Sequence, residues 1–365
     1  MKTLTINTTI ISNAVATASL FTSRDGEFAG KIVLVGQEGK MEVKASDYAQ
    51  TIIFKDLEFV CSDLTDDSFS AFSIDGKKLS TVLKAAKTAE VQIELDKEHV
   101  TVKSGRSKVK IETLAKTQEI NVTKGGVAFD FGKEITHMER ILHAVDNNNP
   151  KYELNGVFLQ SANGVLNIVG TDGKRLSRVT TESMQNFEMI VPKTAITSVI
   201  KLFDGFDVKA CFHDSSLTIH TESVEYEARL TNGKYPAWQR IIPQSFKQVI
   251  TFSRTSLAEL LKEASLFDSE LVFEIKEGRI ILSDLQKSTV VEEKMNVNDN
   301  NSQLRFGMNS KLVLDFLSSY DGEKVQLGFN EPNLPFMLIA DPSYSEVVMP
   351  IVLADTQEVE EDMAA

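Results

Sequence analysis

One pattern limits what this chain can fold into more than any other: it is written three times. Three 18-residue segments align without gaps, LTINTTIISNAVATASLF from Leu4, AFDFGKEITHMERILHAV from Ala128 and ITFSRTSLAELLKEASLF from Ile250. Each opens with a short alternating run and continues with apolar residues three and four positions apart, the spacing of an amphipathic helix that follows a strand. The apolar columns are Ile11, Ile135 and Leu257; Ala14, Met138 and Leu260; Ala18, Leu142 and Ala264; and Phe21, Val145 and Phe267. A second triplet of 22-residue segments starts at Ile74, Val191 and Met308, so that successive members lie 117 residues apart. Its helical stripe aligns Leu79, Ile196 and Val313, then Val82, Val199 and Phe316, then Leu83, Ile200 and Leu317. Period two takes over where Val91, Ile93 and Leu95, then Val208, Ala210 and Phe212, then Val325, Leu327 and Phe329 alternate as half-buried strands do.

Between these segments lie hairpin signals, VLVGQEGKMEV, VFLQSANGVLNIV and VFEIKEGRIIL, in which alternating runs flank Gly-containing turns. Each unit therefore reads as strand, helix, several antiparallel strands, helix and several more strands. The predicted fold is α+β: three repeated domains, each with two helices packed on antiparallel sheets. A chain of 365 residues accommodates three such units at the usual domain size. The expected divisions are residues 1–126, 127–247 and 248–353, followed by an acidic, disordered tail over 354–365. A single large sheet protein with coincidental periodicity is the alternative.

Net charge is misleading when taken alone. Lys and Arg total 39 against 52 Asp and Glu, a formal charge of −13 that argues against a nucleic-acid partner if spread evenly. It is not spread evenly. The predicted helical segments, Asn7 to Phe21, Asp75 to Lys87, Lys133 to Val145, Lys193 to Phe203, Arg254 to Phe267 and Asn309 to Tyr320, together carry +5, which leaves −18 on the rest. Helices lying on a sheet keep one face in solvent, so a basic helical surface on an acidic protein is expected. Its candidates are Lys77, Lys78, Lys84, Lys87, Arg140, Lys193, Lys201, Lys262 and Lys311, each of which also reads as an ordinary solvated helix residue, together with Arg24 just after the first helix.

Other classes find little support. The longest apolar stretch, near Val347 to Ala354, falls far short of the ~20 residues a bilayer span needs. The opening MKTLTINTTI lacks the apolar core of a secretion signal, and Cys61 and Cys211 are isolated, which predicts a cytoplasmic protein. The five histidines, His99, His137, His143, His213 and His220, form no HExxH pair and no Cys/His array. Neither a GxxxxGK[ST] phosphate loop nor a GxSxG elbow is present. No catalytic residue, metal site or cofactor is predicted.

Three stretches resemble one family. LNGVFLQSANGVLNIVGTDGKRLSRV, from Leu154 to Val179, resembles the middle-domain signature of the bacterial sliding clamp, the beta subunit of DNA polymerase III. TNGKYPAWQRIIP, from Thr231 to Pro243, is similar to that family's stretch before its third domain, and VVMPIVL, from Val347 to Leu353, to its C-terminal strand. The resemblance implies a non-catalytic, DNA-clamp fold: a head-to-tail homodimer in which six similar domains form a ring and twelve helices line a hole for duplex DNA. It further implies a replicative polymerase, a clamp loader and repair proteins as partners. Of the basic set, Arg24, Lys77, Lys78, Lys84, Lys87, Arg140, Lys193 and Lys201 would face DNA. Leu266 and Phe267 would lie in the contact between domain one and domain three, although internal core is an equal alternative for both.

The same resemblance implies a hydrophobic pocket that captures short apolar segments of partner proteins. Carried over residue by residue, it comprises Leu154, Thr171, Gly173, Lys174, Arg175, Leu176, Pro236, Arg240, Ile241, Asn309, Leu312, Leu334, Met349, Pro350, Ile351 and Val352. Ser46-Asp47, Thr171-Asp172 and Ser283-Asp284 occupy equivalent places in the three repeats, so the Thr-Asp pair reads as turn chemistry shared by the fold. Lys174 stands where the family often has His, Leu312 where it often has an aromatic, and Val352 where it usually has Arg. The extra ADTQEVEEDMAA carries five acids and no base. These departures imply a shifted peptide specificity. Two readings of other classes stand beside the clamp: a three-repeat peptide-binding scaffold that does not encircle DNA, and a hydrolase with an unrecognised carboxylate site.

Overall fold

A computed structural model describes residues 2–62, 68–115, 119–206, 208–213, 215–294 and 303–353. The expected acidic tail, 354–365, lies outside the described residues. The element order repeats three times. The first pass runs β1 (Lys2–Asn7), α1 (Thr8–Ala18), β2 (Lys31–Gln37), β3 (Lys40–Ser46), β4 (Gln50–Cys61), β5 (Phe69–Asp75), α2 (Gly76–Lys84), β6 (Glu90–Leu95), β7 (His99–Ser104) and β8 (Ser107–Glu112). The second runs β9 (Val127–Asp130), α3 (Gly132–Ile141), β10 (Gly156–Ala162), β11 (Val165–Thr171), β12 (Arg175–Glu182), β13 (Phe187–Pro192), α4 (Lys193–Phe203), β14 (Lys209–Phe212), β15 (Ser216–His220) and β16 (Val224–Arg229). The third runs β17 (Gln248–Ser253), α5 (Arg254–Ala264), β18 (Glu270–Lys276), β19 (Arg279–Asp284), β20 (Val290–Lys294), β21 (Leu304–Asn309), α6 (Ser310–Ser318), β22 (Lys324–Phe329), β23 (Phe336–Ile339) and β24 (Tyr344–Val348).

At four helices, α1, α2, α5 and α6, the strand runs straight into the helix with its last residue as a cap, whereas Pro192 before α4 makes no side-chain cap bond. Asn7 accepts hydrogen bonds from the Thr9 and Ile10 amides, Asp75 from Lys78, Ser253 from Ser256 and Asn309 from Lys311. Each α-helix opening the first and second thirds ends earlier than its apolar pattern, in a 3-10 turn over Ser19–Phe21 or Leu142–Ala144. The aligned columns are buried almost throughout: Ile11, Ile135, Leu257, Ala14, Met138, Leu260, Leu79, Ile196 and Val313 are all 3% exposed or less. One column departs. Phe21 and Val145 are buried, but Phe267 is 63% exposed, and its neighbour Leu266 is 81% exposed. The expectation that Phe267 repeats a core position is therefore corrected. α5 ends at Ala264 and the chain turns out after it, carrying both side chains into solvent.

The chain divides into two compact units, residues 1–132 with 205–230 and residues 133–204 with 231–365. In the first unit, one 12-stranded sheet follows the order β8-β7-β6-β1-β4-β16-β15-β14-β9, with β2, β3 and β5 joined through β3 to β4. In the second, an 8-stranded sheet follows β13-β10-β11-β12-β24-β23-β22-β17, and a 4-stranded sheet follows β20-β19-β18-β21. Two pairings fasten one third of the chain to the next. β16 lies antiparallel to β4, with Tyr226 opposite Ile52, and β12 lies antiparallel to β24, with Leu176 opposite Val347. Among the described residues, no helix is long and apolar enough to cross a membrane.

Candidate functional site

The second unit holds an apolar cluster built by the β12–β24 junction and a strap that crosses it. Phe158 on β10, Val169 on β11, Leu176 on β12, Ile190 on β13, Met337 on β23 and Val347 on β24 supply the sheet side, with Leu154 beside them. Tyr235 and Trp238 come from the strap, and Ile242, Phe246 and Ile339 pack at its margin. Tyr235 stacks on Phe158 with ring centroids 4.6 Å apart and planes 8° from parallel. Burial of that ring pushes the Tyr235 hydroxyl well above the ordinary tyrosine pKa. Around this floor, Pro236, Ile241, Leu334, Met349 and Val352 remain exposed, while Leu312, Pro350 and Ile351 are half-buried. These eight apolar side chains and the nine-residue floor belong to the same unit.

A short polar loop fixes one wall. Asp172 accepts from the Lys174 and Arg175 amides at 2.9 and 3.0 Å, Thr171 Oγ1 donates to the Arg175 carbonyl at 2.6 Å, and Gly173 adopts φ +85°. The φ favours Gly at that position. Met349 N donates to the Lys174 carbonyl at 2.9 Å, so the loop and the chain following β24 are laced together. Further along, Ile351 N donates to the Gly307 carbonyl at 2.8 Å. A Cβ at Gly307 would meet the Ile351 carbonyl oxygen at 2.4 Å, so only glycine permits this approach.

Three of the sixteen expected pocket residues, Thr171, Arg175 and Asn309, have side-chain polar groups committed within the protein. Arg175 is 7% exposed. Its guanidinium donates to Asp172 Oδ2 (3.1 Å), Asp315 Oδ2 (2.9 Å), the Leu312 carbonyl (3.3 Å) and the His143 carbonyl (2.6 Å). Asn309 caps α6. Leu154, Thr171 and Leu176 are buried, and Gly173, Lys174 and Arg240 are exposed. Beneath Arg175, His143 Nε2 lies 2.6 Å from Glu346 Oε2, and Glu346 is fully buried. Tyr344, on the same strand, donates to the Arg140 carbonyl at 3.1 Å; burial, reinforced by Glu346, raises its hydroxyl pKa.

Sequence reasoning missed the aromatic floor. Tyr235 and Trp238 lie within the TNGKYPAWQRIIP stretch, yet only Pro236, Arg240 and Ile241 were nominated from it. The available signal was the pairing of the chain's single Trp with a Tyr three residues before it. Phe158, Val169 and Ile190 were legible as alternating strand residues, but nothing local says which face of the sheet they line.

The expected DNA-facing cations fall into two groups. Arg24, Lys77, Lys78, Lys84, Lys87 and Lys201 are exposed. Arg140 and Lys193 are half-buried, and the Lys193 ammonium donates to the Val145 carbonyl at 2.6 Å. Burial holds the Lys193 pKa below its ordinary value, with Arg175 adding to the effect against Asp146 and Asp172. Among the described residues, no group of three or more His, Cys, Asp or Glu is placed to hold a metal ion.

A family model described as the central domain of the DNA polymerase III beta subunit matches residues 133–237, and one described as its C-terminal domain matches residues 239–352. The Beta sliding clamp of Haemophilus influenzae is 24% identical over 332 residues, covering 85% of this chain and 91% of its own. Among solved structures, a Helicobacter pylori beta clamp bound to a DNA ligase peptide superimposes with a TM-score of 0.85 at 23% identity, over 96% of this chain and all of its own. The DNA polymerase III subunit beta of Pseudomonas aeruginosa gives a TM-score of 0.87 at 20% identity, with the same coverage. At these identities, the structural likeness shows the fold.

Proposed function

Because the chain belongs to the bacterial sliding-clamp family, the beta subunits of DNA polymerase III, we propose that it is a DNA sliding clamp. Two chains close head to tail into a ring around duplex DNA, which tethers the replicative polymerase for processivity. The clamp loader and repair proteins are recruited through the apolar pocket of the second unit. The role is non-catalytic, needs no cofactor, and is carried out in the cytoplasm. Three domains, 1–126, 127–247 and 248–353, are the working parts.

The observation that carries this reading is which strands remain unpaired at the sheet edges. Among the described residues each third has eight strands, and the eighth strand of one third pairs with the fourth of the preceding third: β16 with β4, then β24 with β12. The same rule leaves β20, fourth of the last third, and β8, eighth of the first, each at the edge of its sheet. Exposed edges invite pairing. β8 carries Lys108 and Lys110 against Glu112, a net +1, and β20 carries Glu292 and Glu293 against Lys294, a net −1, so the two edges differ in sign. A heterologous contact of this kind gives a closed ring or an open filament, and the family resemblance favours closure by two chains. Exposed Leu266 and Phe267 supply apolar area for the same joint.

Mass in solution tests the joint. The native chain is expected at twice the chain mass, and a Leu266→Asp, Phe267→Asp variant at the chain mass with unchanged circular dichroism. A native monomer at micromolar concentration would reject the closed ring and favour the peptide-binding scaffold that never encircles DNA.

A further inference from the structure

The cations around the apolar floor of the second unit are not balanced like those nearby. Arg175 is neutralised by Asp172 and Asp315, Lys247 by Glu331 at 2.6 Å, and Arg279 by Glu292. The Glu346 carboxylate is engaged by His143. Lys174, Arg178 and Arg240, by contrast, have no acidic partner among the described residues. Lys174 and Arg240 are exposed, on the loop joined to Met349 and on the strap that carries Trp238.

Arg178 is the most informative of the three. It shares a face of β12 with Leu176, two residues away, and its guanidinium carbon lies 6.0 Å from the centroid of the Trp238 ring. Its Nε is shielded from water and has no hydrogen-bond partner among the described residues. A half-buried guanidinium with an unused donor has lost hydration without gaining an acceptor. A carboxylate that approaches the accessible side of the planar fork matches it in bidentate form and offsets the weakened hydration of the cation.

We propose that this pocket selects peptides whose apolar anchor is flanked by carboxylates, with Arg178 as the specificity-determining cation and Lys174 and Arg240 as its outer partners. The proposal rests on the peptide-binding reading above and adds a class of ligand to it. The chain's overall charge of −13 sharpens the effect, because acidic peptides are repelled elsewhere on the protein and attracted at this rim. Selection therefore acts on register and partner choice more than on total affinity.

The test uses the full chain and two fluorescein-labelled peptides that share a Leu-Leu-Phe anchor, one flanked by two Asp on each side and the other by two Asn. Fluorescence anisotropy is expected to give about five- to tenfold tighter binding of the Asp peptide at low ionic strength. The gap should close at ~1 M salt, where the screening length falls to about 3 Å. In Arg178→Met the Asp-to-Asn affinity ratio should drop at least threefold, Arg178→Lys should retain part of it, and a triple variant that adds Lys174→Gln and Arg240→Gln should bring it to about one. Equal binding of the two peptides by the native chain would overturn the proposal and leave the peptide-binding reading intact. Binding of neither would instead overturn that reading. A salt-insensitive ratio, or one unchanged in the triple variant, would also sink the proposal, and the salt series needs no substituted protein.

Discussion

Arg175 shows how a residue nominated for one task can be committed to another. The TDGKRL stretch marks it as a pocket residue, but its guanidinium ties the loop at Asp172 to the first turns of α6 through Asp315 and the Leu312 carbonyl, and to the chain after α3 through the His143 carbonyl. Four acceptors at one fork are a geometry that a planar guanidinium satisfies and an ammonium does not. Arg175→Ala would leave buried acceptors and two carboxylates without their cation. It is expected to destabilise the second unit by about 3 kcal/mol, with Arg175→Lys recovering less than half. Urea unfolding checks this, and a native-like midpoint for Arg175→Ala would show that the clamp contributes little.

The hairpins and their closing loops show what was legible and what was not. Glu38-Gly39, Asn163-Gly164 and Glu277-Gly278 all have positive φ at both positions, the two-residue turn that matches the twist of its strands. Their sequences announced it, as QEGK, ANGV and KEGR. The Asp turns were equally legible: Asp47 accepts from Ala49 and Gln50, Asp172 from Lys174 and Arg175, and Asp284 from Gln286, Ser288 and Thr289. The Ser288 hydroxyl, helped by those amides and opposed by burial, holds the Asp284 carboxyl down to about 2. A carboxyl depressed on folding stabilises the native state above its unfolded value near ~3.9, and loses that contribution as pH falls from there toward 2. Asp284→Asn should therefore flatten the stability profile between pH 4 and 2, roughly, and an unchanged slope would show that this turn does not carry the acid sensitivity. Repeats and turns are local, so residue order encodes them. The aromatic floor was harder to read because the local Tyr–Trp spacing does not say what the two rings meet: Tyr235 stacks on Phe158 of β10, and Trp238 shares a cluster with Val347 of β24, both far away in sequence. Nor could periodicity separate Phe267 from Phe21, since both complete the same helical stripe and only the end of α5 at Ala264 puts one of them in water.

For the whole molecule, charge and topology point to one way of working. Firm pairing of many cations with phosphate would make binding steeply salt-dependent and hold the protein where it landed. A net charge of −13 with a modest excess of cations on the helical segments is suited to loose contact instead, so retention has to come from enclosure. The edge strands β8 and β20 are the ones from which the proposed joint would be built. The direct measurement is release from DNA on cutting. Protein loaded onto a nicked circular duplex should remain bound through gel filtration at moderate salt, and should dissociate when a restriction enzyme linearises the circle. Protein that stays on the linear product, or that never remains on the circle, would contradict a clamp held by enclosure.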